Sequence, residues 1–310
     1  MRKPEALMAD DIPFERRFTA VPGVVEEVAP GVRRVLAPNP GPFTFTGTCT
    51  YIVGRGEVAI IDPGPDDASH VAAVLAAVEA EAVTHLFLTH THRDHSGALA
   101  ALKAATGAPT YGEGPHRAAR PLHALEVNTL DSAGDRGFLP DVALADGARV
   151  EGAGWTLAAL ATPGHTANHM AFVLEEAGAI FVGDHVMGWS TTVVAPPDGS
   201  MNDYMHSLRR LRERPETLYF PGHGGVITQG PAFVERFLRH RLARETAIMR
   251  ALERGPRAIP DIVRAIYFGL DPRLAGAAGL STLAHLEDLV ERGDVLTDGP
   301  AVLAGLYRLP

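Results

Sequence analysis

The sequence predicts an α/β fold with a small winged-helix domain at its C-terminus. Three observations predict it. Short apolar runs alternate with Gly/Pro turns from about residue 21 to 225. Helical stripes sit between some of those runs. After about residue 230 the chain turns helical and ends in a short ribbon.

The runs "TYIVG", "VAIIDPG", "THLFLTH", "TLAALATPGH", "MAFVLEE", "AIFVGDH" and "TLYFPGH" read as strands, being short, apolar and rich in β-branched residues. "DASHVAAVLAAVEAE" carries Val71, Val74, Leu75 and Val78 on one stripe and reads as a helix, as does "SGALAALKAATG". "DYMHSLRRLRE" reads as a third helix, with Asp203 placed as its N-cap. "PAFVERFLRHRLARETAIMRALERG" reads as one long helix stopped by Gly255 and Pro256. Beyond it, "PDIVRAIY", "PRLAGAAG" and "STLAHLEDLVERG" predict three short helices. "DVLTDGPAVLAGLYRL" predicts a hairpin turning at Asp298-Gly299, which completes a winged helix. The expected division is an arm (1–20), an α/β catalytic domain (21–230), a linking helix (231–255) and a winged-helix-like domain (256–310). The stretch from about 115 to 147, rich in Gly, Pro and Asp, is expected at the surface.

Composition narrows the function. With 310 residues, 46% of them hydrophobic, the chain can bury a full core. A net charge of −9 excludes a whole-molecule basic footprint for nucleic acid. Cys49 is the lone cysteine, so no intrachain disulfide framework exists. The first residues lack an apolar leader core and no run of about 18 apolar residues occurs, so a cytoplasmic protein without membrane spans is expected.

The chemistry is concentrated in "LFLTHTHRDHSGAL", which places His90, His92, Asp94 and His95 at the end of an apolar run. Burying polar rings without partners costs roughly 1–3 kcal/mol each, so a partner is required. Residues two apart in an extended segment share a side, so His90 and His92 converge on one point. Asp94 and His95 follow at the turn into a helix and aim at a second point. His165, Asp184 and His223 each end another strand-like run beside a Gly, where α/β sheets build their ligand sites. Five imidazoles and two carboxylates suffice for two metals: His90, His92 and His165 for the first, Asp94, His95 and His223 for the second, Asp184 between. The nitrogen-rich set favours two zinc ions, with iron or manganese compatible. Asp62, also at a strand end, is expected to orient a ligating His from behind, and His185 is a candidate for lining the site.

In the order "THTHRDHSG", "TPGHT", "VGDH" and "PGHG", these residues resemble the metallo-β-lactamase superfamily across 21–225. That resemblance implies an αβ/βα sandwich with a dimetal site along one edge and the ligand partition just given. "LAPNPGPFTFTGTCTYIVG", "STTVVAPPDGSMNDYMHSLRRL" and the tail "IYFGLDPRLAGAAGLSTLAHLEDLVERG" are similar to the β-lactamase-like protein 2 branch, whose appended domain is a winged helix. That branch usually has Asn at the position of Cys49. Drug-hydrolysing members often carry Cys where Asp184 stands here, so the likeness does not by itself imply β-lactamase activity.

The expected reaction is hydrolysis of an ester, thioester or lactone by a metal-bridging hydroxide, with Asp94 as ligand and proton shuttle. Phe43, Phe45 and Trp189 are placed to wall a small-molecule pocket. The alternative is cleavage of single-stranded RNA, since Arg236, Arg239, Arg241, Arg244, Arg250, Arg254 and Arg257 give the long helix a basic strip. A DNA-binding role is disfavoured, because "STLAHLEDLVER" buries Leu283, Leu286, Leu289 and Val290 and leaves Glu287, Asp288 and Glu291 facing outward. The appended domain is instead expected to wall the active-site cleft or form a subunit contact in a homo-oligomer.

Overall fold

A computed structural model describes residues 12–124, 126, 128 and 133–310. The first eleven residues of the expected arm, and the leader reading with them, lie outside that range, as does part of the 115–147 stretch. The strands are β1 (Val25–Ala29), β2 (Val32–Leu36), β3 (Cys49–Arg55), β4 (Glu57–Ile61), β5 (Ala82–Phe87), β6 (Thr110–Gly112) and β7 (Val142–Ala143), then β8 (Arg149–Gly152), β9 (Trp155–Ala161), β10 (Met170–Leu174), β11 (Ala179–Gly183) and β12 (Leu218–Pro221). The first seven form one sheet in sequence order. The next five form a second, in the order β12-β11-β10-β9-β8.

Alternation along each strand explains the layering. On β3, Tyr51 and Val53 face the second sheet while Ile52 faces the helices α1 (Ala68–Ala77) and α3 (Leu99–Thr106). On β10, Met170, Phe172 and Leu174 face inward, and Ala171 and Val173 face the helices α4 (Met201–Arg212) and α5 (Gly230–Leu252). Both faces of β3 and β10 are therefore buried, which is why these strands read as continuous apolar runs. The result is an αβ/βα sandwich. At one edge the sheets are tied together: Cys49 N donates to Gly222 O at 2.8 Å, Tyr51 Oη donates to Pro221 O at 2.7 Å, and Thr48 bridges His223.

Three expectations change. α4 starts two residues before Asp203, because Ser200 supplies the cap by accepting from Asp203 N at 3.2 Å. The two last predicted helices merge into one, α7 (Ala275–Glu291), which runs through Gly276 and Gly279. α7 follows α6 (Ile259–Ile266), and the ribbon is β14 (Leu296–Thr297) with β15 (Leu306–Arg308), to which β13 (Arg257–Ala258) adds. Asp298-Gly299 is thus part of a longer wing loop, not a two-residue turn.

α7 also corrects the view that its acidic side is free. Leu283, Leu286 and Leu289 enter the winged-helix core, while Ala284 enters the core built on α4 and α5. Glu287 pairs with Arg120 of the catalytic domain, which also holds Glu126 at 2.7 Å. A cleft of about 440 Å³ runs between α7 and α4, lined among others by Arg120, Asp203, Glu287 and Glu291 and by none of the seven candidate ligands. No helix among the described residues is long and apolar enough to cross a membrane.

Candidate metal centre

The ends of β5, β9, β11 and β12 deliver their polar residues to one edge. His90 and His92 follow β5, and Asp94 and His95 lie on α2 (Arg93–Ser96), a single helical turn. His165 follows β9, Asp184 follows β11 and His223 follows β12. The structure brings all seven together. His92 Nδ1 lies 3.0 Å from His90 Nε2 and 3.0 Å from His165 Nε2. Asp94 Oδ2 lies 3.5 Å from His95 Nε2 and 3.2 Å from His223 Nε2. Asp184 sits between the two trios, 3.8 Å from His165 Nε2, 3.4 Å from His95 Nε2 and 3.3 Å from His223 Nε2.

Partners behind the rings decide which nitrogens face the centre. His165 Nδ1 donates to Val193 O at 2.7 Å and His223 Nδ1 to Gly47 O at 3.1 Å. A carbonyl can only accept, so each ring presents an unprotonated Nε2 inward when neutral. His95 Nδ1 is fixed on Asp62 Oδ2 at 3.0 Å, and His90 Nδ1 contacts Thr89 Oγ1 at 3.0 Å. Asp62 itself takes Thr89 N and Thr89 Oγ1, each at 2.8 Å, from a left-handed backbone with φ 52°. Gly222 must lack a side chain, since a Cβ there would lie 2.4 Å from Asp184 Oδ1.

The electrostatics divide the site. Burial, reinforced by neighbouring imidazoles, holds His90 well below the usual histidine range and His92 down to about 3; burial also lowers His165. His95 and His223 go the other way. Burial opposes their charge, but Asp184 and Asp94 overcome it, raising His95 strongly and His223 to about 10. Burial likewise opposes ionisation of Asp94 and Asp184, and His95 and His223 outweigh it, holding both carboxyls ionised.

This donor set fits divalent cations. His95 Nε2 and Asp184 Oδ1 are buried without a hydrogen-bond partner among the described residues. Three ligand atoms within 4.8 Å of one another occur in each of His90/His92/His165, His90/His95/Asp184 and Asp94/His95/His223. His90, His92 and His165 are held neutral with free lone pairs, and His95 and His223 would release their protons on binding a cation, which with anionic carboxylates gives the donors zinc prefers.

His185 is not brought in. Asp184 and His185 lie in the turn that follows β11, where His185 N donates to Val182 O at 3.0 Å, and the His185 ring packs on Tyr204, 4.4 Å between centroids. His169, immediately before β10, accepts from Asp184 N at 3.2 Å. Sequence reasoning misses Thr48 and Thr89. Thr48 Oγ1 reaches Asp94 at 3.4 Å. Cys49 is buried, its thiol pushed up to about 11 by burial, and its Sγ lies 3.7 Å from Gly224 O. Phe45 and Trp189 stack at 4.8 Å and 9° beside Gly224, while Phe43 is exposed.

The basic strip on α5 is broken. Arg241 is buried, Arg244 donates to Ile266 O at 2.7 Å, and Arg257 caps Ala251 O at 2.8 Å. The cause is helical period: position 241 shares its face with the core residues Phe237 and Ile248.

A family model described as the metallo-beta-lactamase superfamily matches residues 43–223. The chain belongs to the metallo-beta-lactamase superfamily. Membership makes it a hydrolase with a divalent-metal site. A second model, the beta-lactamase associated winged helix domain, matches residues 258–300 of this superfamily member. The chain is 33% identical to the beta-lactamase-like protein 2 homolog of Caenorhabditis elegans, over 78% of each chain. It is 36% identical to an atrochrysone carboxyl ACP thioesterase of Aspergillus chevalieri, over 78% of this chain and 75% of that one. A metallo-beta-lactamase family protein of Thermus thermophilus superposes with a TM-score of 0.73 at 26% identity, covering 92% of this chain and 100% of that one.

Proposed function

We propose that the protein is a dinuclear-metal thioesterase acting on a small acyl thioester. The observation that carries the metal reading is the placement of Asp184 between two trios of donors, each closed to within 4.8 Å. His90, His92 and His165 would hold one cation, and Asp94, His95 and His223 the other. The donor set favours zinc. When bound, such cations supply Lewis acidity and lower the pKa of water toward neutrality. The chain's own residues do the rest. Asp62, Val193 O and Gly47 O fix three ring orientations, so the donor nitrogens are preorganised. Asp94 is the more exposed carboxylate of the centre, with 27% of its side chain accessible. It is therefore placed to orient the attacking water and pass its proton to the leaving thiolate. The stacked Phe45 and Trp189 offer an apolar wall for an acyl group. A thioester is favoured over an ester or lactone because relatives 34% and 36% identical to this chain bear thioesterase names.

The test is a parallel assay of zinc-loaded protein on acyl thioesters, nitrophenyl esters, lactones and a cephalosporin. Thioesters are expected to turn over fastest. Replacing His90 and His92 by Ala is expected to abolish both zinc content and turnover. Undiminished thioester cleavage by that metal-free double variant ends the proposal.

A further inference from the structure

We infer that Arg241, on α5 and outside the ligand set, is a positioning residue that holds Asp184 and His165 through the backbone at Thr192–Val193. The inference rests on the proposed metal centre. Arg241 is 3% exposed, and among the described residues its buried Nε has no hydrogen-bond partner and no carboxylate pairs with it. A buried cation costs several kcal/mol unless its contacts offset the loss of water, and packing alone would be served by Met or Leu.

Its contacts all lead toward the centre or toward α7. One terminal nitrogen donates to Thr192 O, the other reaches Ser281 Oγ on α7 at 3.4 Å. The guanidinium lies 5.0 Å over the ring of Tyr204. Thr192 Oγ1 in turn donates to Asp184 O at 2.7 Å and lies 3.1 Å from His185 O, where Tyr204 Oη also donates at 2.9 Å. The next carbonyl, Val193 O, is the acceptor that fixes His165 Nδ1. One dipeptide therefore sets two candidate ligands, and Arg241 fixes that dipeptide from behind. Through Ser281 the same side chain joins the winged-helix domain to the catalytic edge.

The test compares Arg241→Met, Arg241→Lys and Thr192→Val with the parent protein. Zinc affinity is read by competition with a chromogenic chelator, folding by circular dichroism and thermal melting, and kcat and KM separately. Arg241→Met is expected to bind zinc ten- to a hundred-fold more weakly, to lose kcat with little change in KM, and to keep a folded spectrum. Arg241→Lys, which can still reach Thr192 O, is expected to recover part of the affinity. Thr192→Val keeps the shape, loses only the hydroxyl, and is expected to weaken zinc in the same direction. If Arg241→Met does not fold, Thr192→Val alone decides. Folded variants with parental zinc affinity and kcat overturn the inference. A parent protein that binds zinc but cleaves no thioester overturns the substrate reading and leaves this experiment intact, because affinity is measured without substrate.

Discussion

Asp62 accepts the Nδ1 proton of His95 at 3.0 Å while its other oxygen takes Thr89 N at 2.8 Å, so one carboxylate ties the first half of the chain to the centre. Its left-handed backbone is a conformation that Asp and Asn tolerate better than most residues. Asp62→Asn should therefore keep the fold yet lose the anionic acceptor, weakening zinc by roughly ten- to a hundred-fold. Chelator competition measures it; parental affinity in a folded Asp62→Asn protein would show that the contact is dispensable.

Gly222→Ala should be worse for its size than any neighbouring change. The added methyl would sit 2.4 Å from Asp184 Oδ1 and 2.6 Å from His95 Cε1, so one of them must move. Expected is a loss of zinc from the protein as purified and turnover reduced by at least about a hundred-fold, a misplacement of roughly 1 Å being enough for that. Elemental analysis beside the activity assay checks both.

Arg120 bridges the two domains by pairing with Glu287 of α7 and with Glu126. Burial raises the Glu287 carboxyl, and Arg120 pulls against that rise. Arg120→Ala should destabilise the protein by about 1–3 kcal/mol by leaving a half-buried carboxylate unpaired. Glu287→Gln in that background should cost nothing further. Thermal melts of the two single variants and the double variant give the coupling directly.

Acid should loosen the same region. Burial, with Arg241 nearby, holds His285 well below its ordinary 6.5, and burial lowers His240 to about 3. In the unfolded chain both take up a proton as pH falls through about 6.5, while in the fold they do not. Their contribution is therefore whole above about pH 6.5 and is lost below it, at up to about 1.4 kcal/mol per pH unit for each histidine. Denaturant titrations at about pH 7.5, 6 and 5 should show this decline, and His285→Leu should flatten it. An unchanged slope in His285→Leu would assign the acid sensitivity elsewhere.

The ligand set is legible in the sequence because metal chemistry accepts few residue types and the sheet delivers them at strand ends. His90, His165, Asp184 and His223 each follow an apolar run, and that juxtaposition survives in one dimension. Asp62 is legible for the same reason. The supports are not, because they are backbone carbonyls and hydroxyls that any segment carries: Val193 O lies 28 residues beyond the ring it holds. Arg241 is hidden among surface arginines of one helix, and only the three-dimensional face separates it from them. His185 is adjacent to Asp184 in sequence, but the turn after β11 seats its ring on Tyr204. The union of two predicted helices into α7 is not visible because Gly276 and Gly279 lie inside it, and tertiary packing overrides their weak helix preference.

That union has a consequence for anyone hoping to trim the chain. Ala284 of α7 is shared masonry, lodged against α4 and α5 while the leucines of the same helix fill the tail's own interior. Stopping translation near residue 255 would take Ala284 out of the core built on α4 and α5 and deprive Arg241 of its Ser281 partner. Such a stump is expected to appear in the insoluble fraction on expression, whereas the intact chain should not, and a simple centrifugation assay tells the two apart.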